Sequence, residues 1–285
     1  MGKLLETGPS PRGWHRLQNM LECPQKFSYR YNLGMEPSIP AIALMKGSLA
    51  HLALAHHYSI KKDKDAGIES EWLDPFDAIT LKCHQEPEYL DAKNIVTQAM
   101  YNYKGYWAVE DENWRILEVE KLAYATITDP IEKTAEGENK VYLLTGRFDM
   151  VIENVNTGDV YVVDHKTTSR LTKSHEKFYA MSGQLIGYEY MARKIFGDRL
   201  KGVMLNFIQL GTNNKFDRLV IPPRPNLSNQ FEQTVIDAER RIAELDKSGR
   251  DALDYPKAMN ELTCFSRYGA CAFMDTCKYG IVDME

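Results

Sequence analysis

Asp149, Asp164 and Lys166 are the side chains of this 285-residue sequence whose types and spacing could do chemistry together. The runs that carry them, Val141 to Glu153 and Val160 to Thr167, are rich in β-branched and aromatic residues and read as strands. Between them, Asn156-Thr157-Gly158-Asp159 supplies the turn chemistry of an antiparallel hairpin. With Thr157-Gly158 as a two-residue loop, Asn156 pairs with Asp159 and Asp149 falls directly opposite Lys166. Asp164 and Lys166, two apart, share one face of their strand, and Asp149 lies diagonal to Asp164 on that face.

Carboxylates held so close repel each other, and one tends to protonate unless a cation sits between them. Mg2+ or Mn2+ would resolve the conflict, since either accepts a few hard oxygens and keeps several waters. Such a site makes water a better nucleophile and neutralises charge on phosphate oxygens, with Lys166 placed to hold the attacking water; the reaction class is phosphodiester hydrolysis. The plainer alternative is a cross-strand Asp149–Lys166 ion pair with Asp164 as a solvated neighbour, and a D-x-K spacing alone does not decide against it.

The elements around the hairpin fall into two regimes. Ser10-Pro11 can cap and open a helix carrying Trp14, Leu17, Met20 and Leu21 at helical spacing, limited by Pro24. Ala41 to about Ile60 and Glu88 to about Val109 also read as helices. After Trp114 come a strand from Ile116 to Ile127, the two strands above and a helix from about Glu176 to Phe196. Strands at Val203 to Leu210 and Phe216 to Ile221 and a charge-laced helix from Asn226 to about Lys247 follow. A helix between strands of one sheet implies a crossover, so the sheet is mixed and the class is α/β. Glu118 and Glu120 share a face of the first strand, beside the hairpin.

No internal repeat, low-complexity tract or long linker divides the chain, so a single domain over 1-285 is expected. Within it, 1-40 holds the N-terminal helix and first cysteine, 41-112 a helical region with His51, 113-225 the sheet core, and 226-285 a last helix and a cysteine-rich tail.

Composition narrows the classes. A hydrophobic content of 44% supports a sizeable core, and no run approaches the roughly 18 to 20 apolar residues of a membrane span. The opening residues show no secretory leader pattern, and Glu6 stands where a myristoylation signal wants Ser or Thr, so a cytoplasmic protein is expected. A net charge of −5 argues against a blanket electrostatic grip on nucleic acid. Local patches remain: Arg12, Arg16, Lys26 and Arg30 interleaved with Trp14, Phe27, Tyr29 and Tyr31, and Arg170, Lys173 and Lys177 after the second hairpin strand.

Cysteines form a second constellation. Cys264, Cys271 and Cys277 follow one another with six and five residues between, Cys23 lies far upstream, and the isolated Cys83 reads as a buried thiol. Among reduced thiols such clustering points to a metal, either zinc completed by Cys23 or a histidine, or a [4Fe–4S] cluster on four thiolates. Closing the loop from Cys23 to Cys264 costs entropy that a tightly bound cofactor offsets, so folding and loading would be coupled.

Gly146-Arg147-Phe148-Asp149, then Val162-Val163-Asp164-His165-Lys166-Thr167-Thr168, then Gln184 and Tyr188 at Q-x-x-x-Y spacing, with Gly47-Ser48-Leu49-Ala50-His51 upstream as G-x-x-x-H, resembles the RecB-like branch of the PD-(D/E)XK nucleases. The resemblance implies a restriction-endonuclease-like core (αβββαβ) with a helical N-terminal insertion. It implies that His51, Asp149, Asp164 and the backbone carbonyl of His165 ligate Mg2+ or Mn2+, and that Lys166 assists the nucleophile. Gln184 and Tyr188, one turn apart on a helix face, would orient DNA or the lysine. His56, His57 and His175 match no motif and read as surface or packing residues.

An N-terminal cysteine followed by a C-terminal triplet resembles the iron–sulfur staple of AddB-type nuclease subunits and of CRISPR-associated RecB-like exonucleases. Cys23, Cys264, Cys271 and Cys277 would then bind a [4Fe–4S] cluster that joins the termini. That pattern spaces its first two C-terminal cysteines as C-x-x-C, whereas six residues intervene here, which keeps zinc open.

The function implied is a metal-dependent deoxyribonuclease, an exonuclease acting on DNA ends in recombination, repair or phage replication. Its partners would be single-stranded or free-ended DNA and recombination or helicase proteins. Two alternatives stand beside it: a CRISPR-type spacer end-trimming nuclease, and a non-catalytic DNA-binding assembly subunit that keeps fold and cluster.

Overall fold

The computed structural model describes residues 2–36, 41–266 and 269–280. Its helices are α1 (Trp14–Glu22), α2 (Pro24–Phe27), α3 (Ile42–Asp65), α4 (Pro75–Gln85), α5 (Leu90–Trp107), α6 (His175–Tyr179), α7 (Gly183–Phe196), α8 (Pro225–Lys247), α9 (Glu261–Cys264) and α10 (Met274–Tyr279). Its strands are β1 (Trp114–Lys133), β2 (Asn139–Asn154), β3 (Val160–Thr168), β4 (Leu200–Gln209) and β5 (Lys215–Ile221), with a small hairpin of β6 (Phe265–Ser266) and β7 (Gly269–Ala270).

One sheet runs in the order β1-β2-β3-β4-β5. β3 pairs antiparallel with β2 and parallel with β4, and β4 pairs antiparallel with β5. The sheet is therefore mixed, as a crossover through α6 and α7 requires. The chain forms two compact units: Met1–Pro11, Ala41–Ala125 and Thr145–Asn229 make the first, and Arg12–Pro40, Thr126–Leu144 and Gln230–Glu285 the second.

In the first unit, one sheet face presents Met150, Ile152, Val163, Met204 and Ile208 to a core supplied by α3, α4 and α5, including Leu49, Leu52, Ala53, Ile79, Val96 and Met100. These strand residues alternate with the set on the opposite face, the period-2 pattern of a sheet buried on both sides. The opposite face, with Val162, Leu205 and Phe207 buried, is contacted by α7. α4 is a helix that the sequence reading passed over, although its start carries a clear signal: Asp74 accepts the Phe76 N–H at 2.9 Å and Pro75 opens the first turn.

In the second unit, the Arg240 guanidinium grips the Asp129 carboxylate, with Nε to Oδ2 at 2.7 Å. Arg16 pairs with Glu239 at 2.6 Å, and the rings of Trp14 and Phe231 lie 5.4 Å apart.

Several local expectations need correction. Ser10 does not cap α1; its hydroxyl donates to the Thr145 carbonyl at 3.2 Å, and α1 starts after Gly13 without a side-chain cap. The helix expected from Glu176 to Phe196 is two helices, α6 and α7, broken around Ser182. The cysteine-rich tail beyond α8, which carries no clear helix or strand period in the sequence, contains α9, β6, β7 and α10.

Candidate active site

The hairpin between β2 and β3 fixes the acids. Its loop is longer than two residues: Asn154 N–H donates to the Asp159 carbonyl at 2.8 Å, and the Asn154 side chain accepts from the N–H groups of Asn156 and Thr157 at 2.9 and 3.2 Å. An Asx turn at Asn154 therefore replaces the expected Asn156–Asp159 pairing. The ladder pairs Met150 with Val163 and Val151 with Val162. One step further places Asp149 beside Asp164, not opposite Lys166. Because the slip is two residues, side-chain parity survives and both acids keep one face.

Hydrogen bonds then gather the expected residues. The His165 N–H donates to Asp149 Oδ2 at 2.7 Å, and His51 Nδ1, from α3, stands 3.4 Å from the same oxygen. Lys166 Nζ lies 2.8 Å from Asp164 Oδ2 and donates to Gln184 Oε1 at 3.1 Å. Gln184 Nε2 donates to the Tyr188 hydroxyl at 3.0 Å, which donates to the Arg147 carbonyl at 2.6 Å. Gln184 and Tyr188 are one turn apart on α7, so both reach the same strand face. Gly146 of the Gly146-Arg147-Phe148-Asp149 stretch lies close under α7: a Cβ there would press on the tip of Met191 and come within 3.3 Å of Tyr188 Cε1.

Electrostatics reflect this crowding. Burial pushes the Asp164 pKa up, and the nearby Asp149 charge adds to the rise against the Lys166 ammonium. Burial acts on Asp149 in the same sense, but His51 outweighs it and holds that carboxyl below the usual carboxylate range. Burial disfavours the charged His51 ring, yet the Asp149 carboxylate overrides it and lifts the pKa to about 9.

Glu118 and Glu120 part company. Glu118 pairs with Lys62 at 3.2 Å and Lys121 at 3.3 Å. Glu120 adopts a left-handed backbone, φ 50°, costly for a non-glycine in a strand. Its carboxyl is pushed up to about 8, first by burial and then by Asp149, which puts it within electrostatic reach of the cluster.

Among the described residues, no group of three or more His, Cys, Asp or Glu side chains is arranged to hold a metal ion. The donor chemistry nevertheless fits a hard cation that keeps its waters. Asp164 is 1% exposed, and its Oδ1 has no hydrogen-bond partner among the described residues. A buried carboxylate oxygen without a donor is costly unless a cation meets it.

His56 and His175 do structural work. His56 Nε2 accepts the Leu5 N–H at 3.0 Å while Nδ1 faces the Leu73 carbonyl at 2.9 Å, and His175 packs on Phe207 with ring centroids 4.9 Å apart. Asn206, 2.8 Å from His165 Nδ1, escaped the sequence reading because no local pattern marks it.

In the second unit, Cys277 Sγ stands 4.0 Å from the Tyr29 hydroxyl. Burial raises the Cys277 pKa, and the neighbouring Cys23 and Cys271 thiols raise it further. Cys271 N–H donates to the Cys264 carbonyl at 2.8 Å. Cys83 is buried in the first unit, as a lone packing thiol should be. Part of the basic and aromatic N-terminal stretch is turned inward or paired, while Arg12 and Arg30 stay exposed. Phe27 and Tyr29 are interior, while Arg16 and Lys26 are taken up by Glu239 and Glu22.

The sequence matches the PD-(D/E)XK nuclease superfamily over residues 14–278. No curated protein matches it. Among solved structures, a candidate exonuclease from Eubacterium rectale is 12% identical with a TM-score of 0.47, over 94% of this chain and 88% of that one. A protein called SSO0001 is 16% identical with a TM-score of 0.32, over 79% of this chain and 84% of that one.

Proposed function

The chain belongs to the PD-(D/E)XK nuclease superfamily, and from that premise we propose that it is a metal-dependent DNA exonuclease of the RecB-like branch, working as one nuclease domain. Family membership carries phosphodiester hydrolysis; DNA as substrate, action at ends and the iron–sulfur branch are the added inference. The observation that carries the proposal is the convergence of Asp149, Asp164 and Lys166 on one strand face, with an unpartnered oxygen of Asp164 at its centre.

Asp149, Asp164, the His165 carbonyl and the His51 ring, once it has given up its proton to the incoming cation, would hold Mg2+ or Mn2+, with Glu120 at the margin. When bound, the ion supplies charge neutralisation on the scissile phosphate and a more acidic water. Lys166 would orient the attacking water, its ammonium steadied between Asp164 and Gln184. Tyr188 holds Gln184 and the Arg147 carbonyl, keeping α7 against β2. Exposed Arg170, Lys173 and Lys177, just beyond β3, suit a phosphate backbone leaving the site.

Cys23, Cys264, Cys271 and Cys277 would carry a [4Fe–4S] cluster, or zinc, stapling the two ends of the chain within the second unit. Cys23 and Cys271 add to the burial that raises the Cys277 pKa, and a cation among these thiols would relieve that cost. Among the described residues no helix is long and apolar enough to cross a membrane. Action on DNA in a bacterial or phage-infected cytoplasm, with recombination or helicase proteins, is the setting proposed.

Incubation with Mn2+ and labelled linear or covalently closed DNA, single- and double-stranded, tests the proposal. Digestion of linear but not closed substrates, abolished in Asp164→Ala, is the expected result. Cutting of closed circles would make it an endonuclease. DNA binding without any cleavage would favour the assembly-subunit reading.

A further inference from the structure

We infer that Asn206 is a positioning residue for this site, locking the His165 ring, and with it the backbone that links the two aspartates, through a hydrogen-bonded chain on the opposite face of the sheet. The inference rests on the metal-binding reading above.

Strand alternation sends the His165 side chain away from the face of Asp164 and Lys166. The register sets His165 beside Asn206 and Asn206 beside Arg218, so three polar side chains stand abreast across β3, β4 and β5. The Asn206 amide donates to His165 Nδ1 and to the Tyr103 hydroxyl, both at 2.8 Å. Arg218 donates to Tyr103 at 3.2 Å and to Tyr58 at 2.8 Å.

Tyr103, already accepting twice, gives its one proton to Tyr58, 2.6 Å away. Tyr58 in turn donates to Asp111 Oδ2 at 3.0 Å. Arg218 closes the circuit on Asp111 at 2.7 Å and Glu110 at 3.2 Å, its guanidinium 4.0 Å over the Trp107 ring. With each proton assigned, Nδ1 of His165 accepts and the ring hydrogen sits on Nε2. The Tyr58 ring stacks on His165 at 6.1 Å with 14° between planes, which fixes the imidazole from a second direction.

Packing alone does not call for this arrangement. The surrounding core is apolar, with Leu54, Val96, Met100 and Ile208, and well-packed apolar residues commonly stabilise as much as a buried Arg–Asp pair. The Asn206 carbonyl has no partner among the described residues, a cost a purely structural amide need not carry. The chain ends at His165, whose own N–H holds Asp149. Satisfied polar networks rigidify their surroundings, and groups behind metal ligands fix ligand orientation.

The test compares wild type, Asn206→Ala, Tyr103→Phe, their combination and Asp164→Ala. It measures Mn2+ affinity by calorimetry without DNA, kcat and KM on labelled DNA, and thermal unfolding. Asn206→Ala should weaken Mn2+ binding by about tenfold or more and lower kcat while leaving KM for DNA unchanged. Tyr103→Phe keeps the ring and should act in the same direction, less strongly. The double variant should be less impaired than the two effects added, because both act through one chain.

Variants that melt earlier yet bind Mn2+ and turn over as wild type would reduce the network to packing and overturn the inference. Should Asn206→Ala not fold, Tyr103→Phe decides by the same readouts. Asp164→Ala should abolish Mn2+ binding; if it does not, the metal reading falls and takes this inference with it.

Discussion

The His165 N–H donates to Asp149 Oδ2 at 2.7 Å, so the carboxylate of one acid ties β2 to the strand that carries the other. That oxygen has two separable duties, accepting a backbone proton and supplying charge. Asp149→Asn keeps an acceptor and loses the charge; Asp149→Ala loses both. Both should cut cleavage by roughly 10³- to 10⁴-fold. Only Asp149→Ala should also lower stability, by about 1–3 kcal/mol, because it strands a buried N–H. Steady-state kinetics beside thermal unfolding separates the two. A fully active Asp149→Asn would remove charge from the mechanism.

Gln184 and Tyr188 act in series on Lys166. Gln184 touches the ammonium directly at 3.1 Å, whereas Tyr188 reaches it only through Gln184. Gln184→Ala should therefore lower kcat by about 10²-fold, and Tyr188→Phe by less, since the ring and its contact with Phe148 remain. KM for DNA should move little in either. An unchanged kcat in Gln184→Ala would show that Asp164 alone sets the lysine.

How much of this was legible follows from where the contacts lie along the chain. The acids, the lysine and the Gln184/Tyr188 pair sit in three short stretches, β2, β3 and α7, whose period is set by strand or helix, so which residues share a face within each could be computed. Face survived even though register did not. The Asn154 side chain lengthened the turn, an effect of one residue outside the four-residue motif. A one-residue error would have scattered the same letters across both faces.

The chain behind His165 was not legible. Tyr58, Tyr103, Asp111, Asn206 and Arg218 come from α3, α5, the turn after it, β4 and β5, and no spacing rule joins them. Glu120 was half legible: its strand face was clear, but a left-handed φ in mid-strand was not. The N-terminal basic patch misled for the opposite reason, since a run of cations and rings looks the same whether glutamates from distant helix turns are waiting for it or not.

Asp129 gives the second unit a pH signature. The Arg240 side chain, bonding both carboxylate oxygens, holds the Asp129 pKa below its ordinary value despite burial. The unfolded chain binds the proton more readily, so the pair's contribution is fully present above about pH 4 and is lost as pH falls through the depressed folded value. Asp129→Asn should destabilise the protein at pH 7, because it leaves the Arg240 guanidinium without its counter-charge. The gap from wild type should shrink as the medium is acidified below pH ~4. Urea unfolding at a series of pH values measures it. A gap independent of pH would show that the Asp129 charge does not carry the effect, since Asn keeps an oxygen for the Ile131 and Glu132 N–H groups.

The cysteine site makes the last prediction, and the strongest against chance. Cys277 lies within electrostatic reach of Cys23 and Cys271 and beside Tyr29, while Cys264 joins Cys271 through the backbone. Thiols grouped in this way would suit a shared cation, and a cofactor bridging Cys23 to the tail would link folding to loading. Protein purified without oxygen should be brown with broad visible absorbance if iron is bound, and colourless with stoichiometric zinc by elemental analysis if zinc is. In either case Cys271→Ser and Cys277→Ser should lose the metal and melt earlier, whereas Cys83→Ser should keep the metal. Because the Asp149–Lys166 cluster lies in the other compact unit, mutating Asp164 should leave the cofactor in place. A wild-type protein with neither iron nor zinc, melting no higher than Cys277→Ser, would leave the four thiols as ordinary packing.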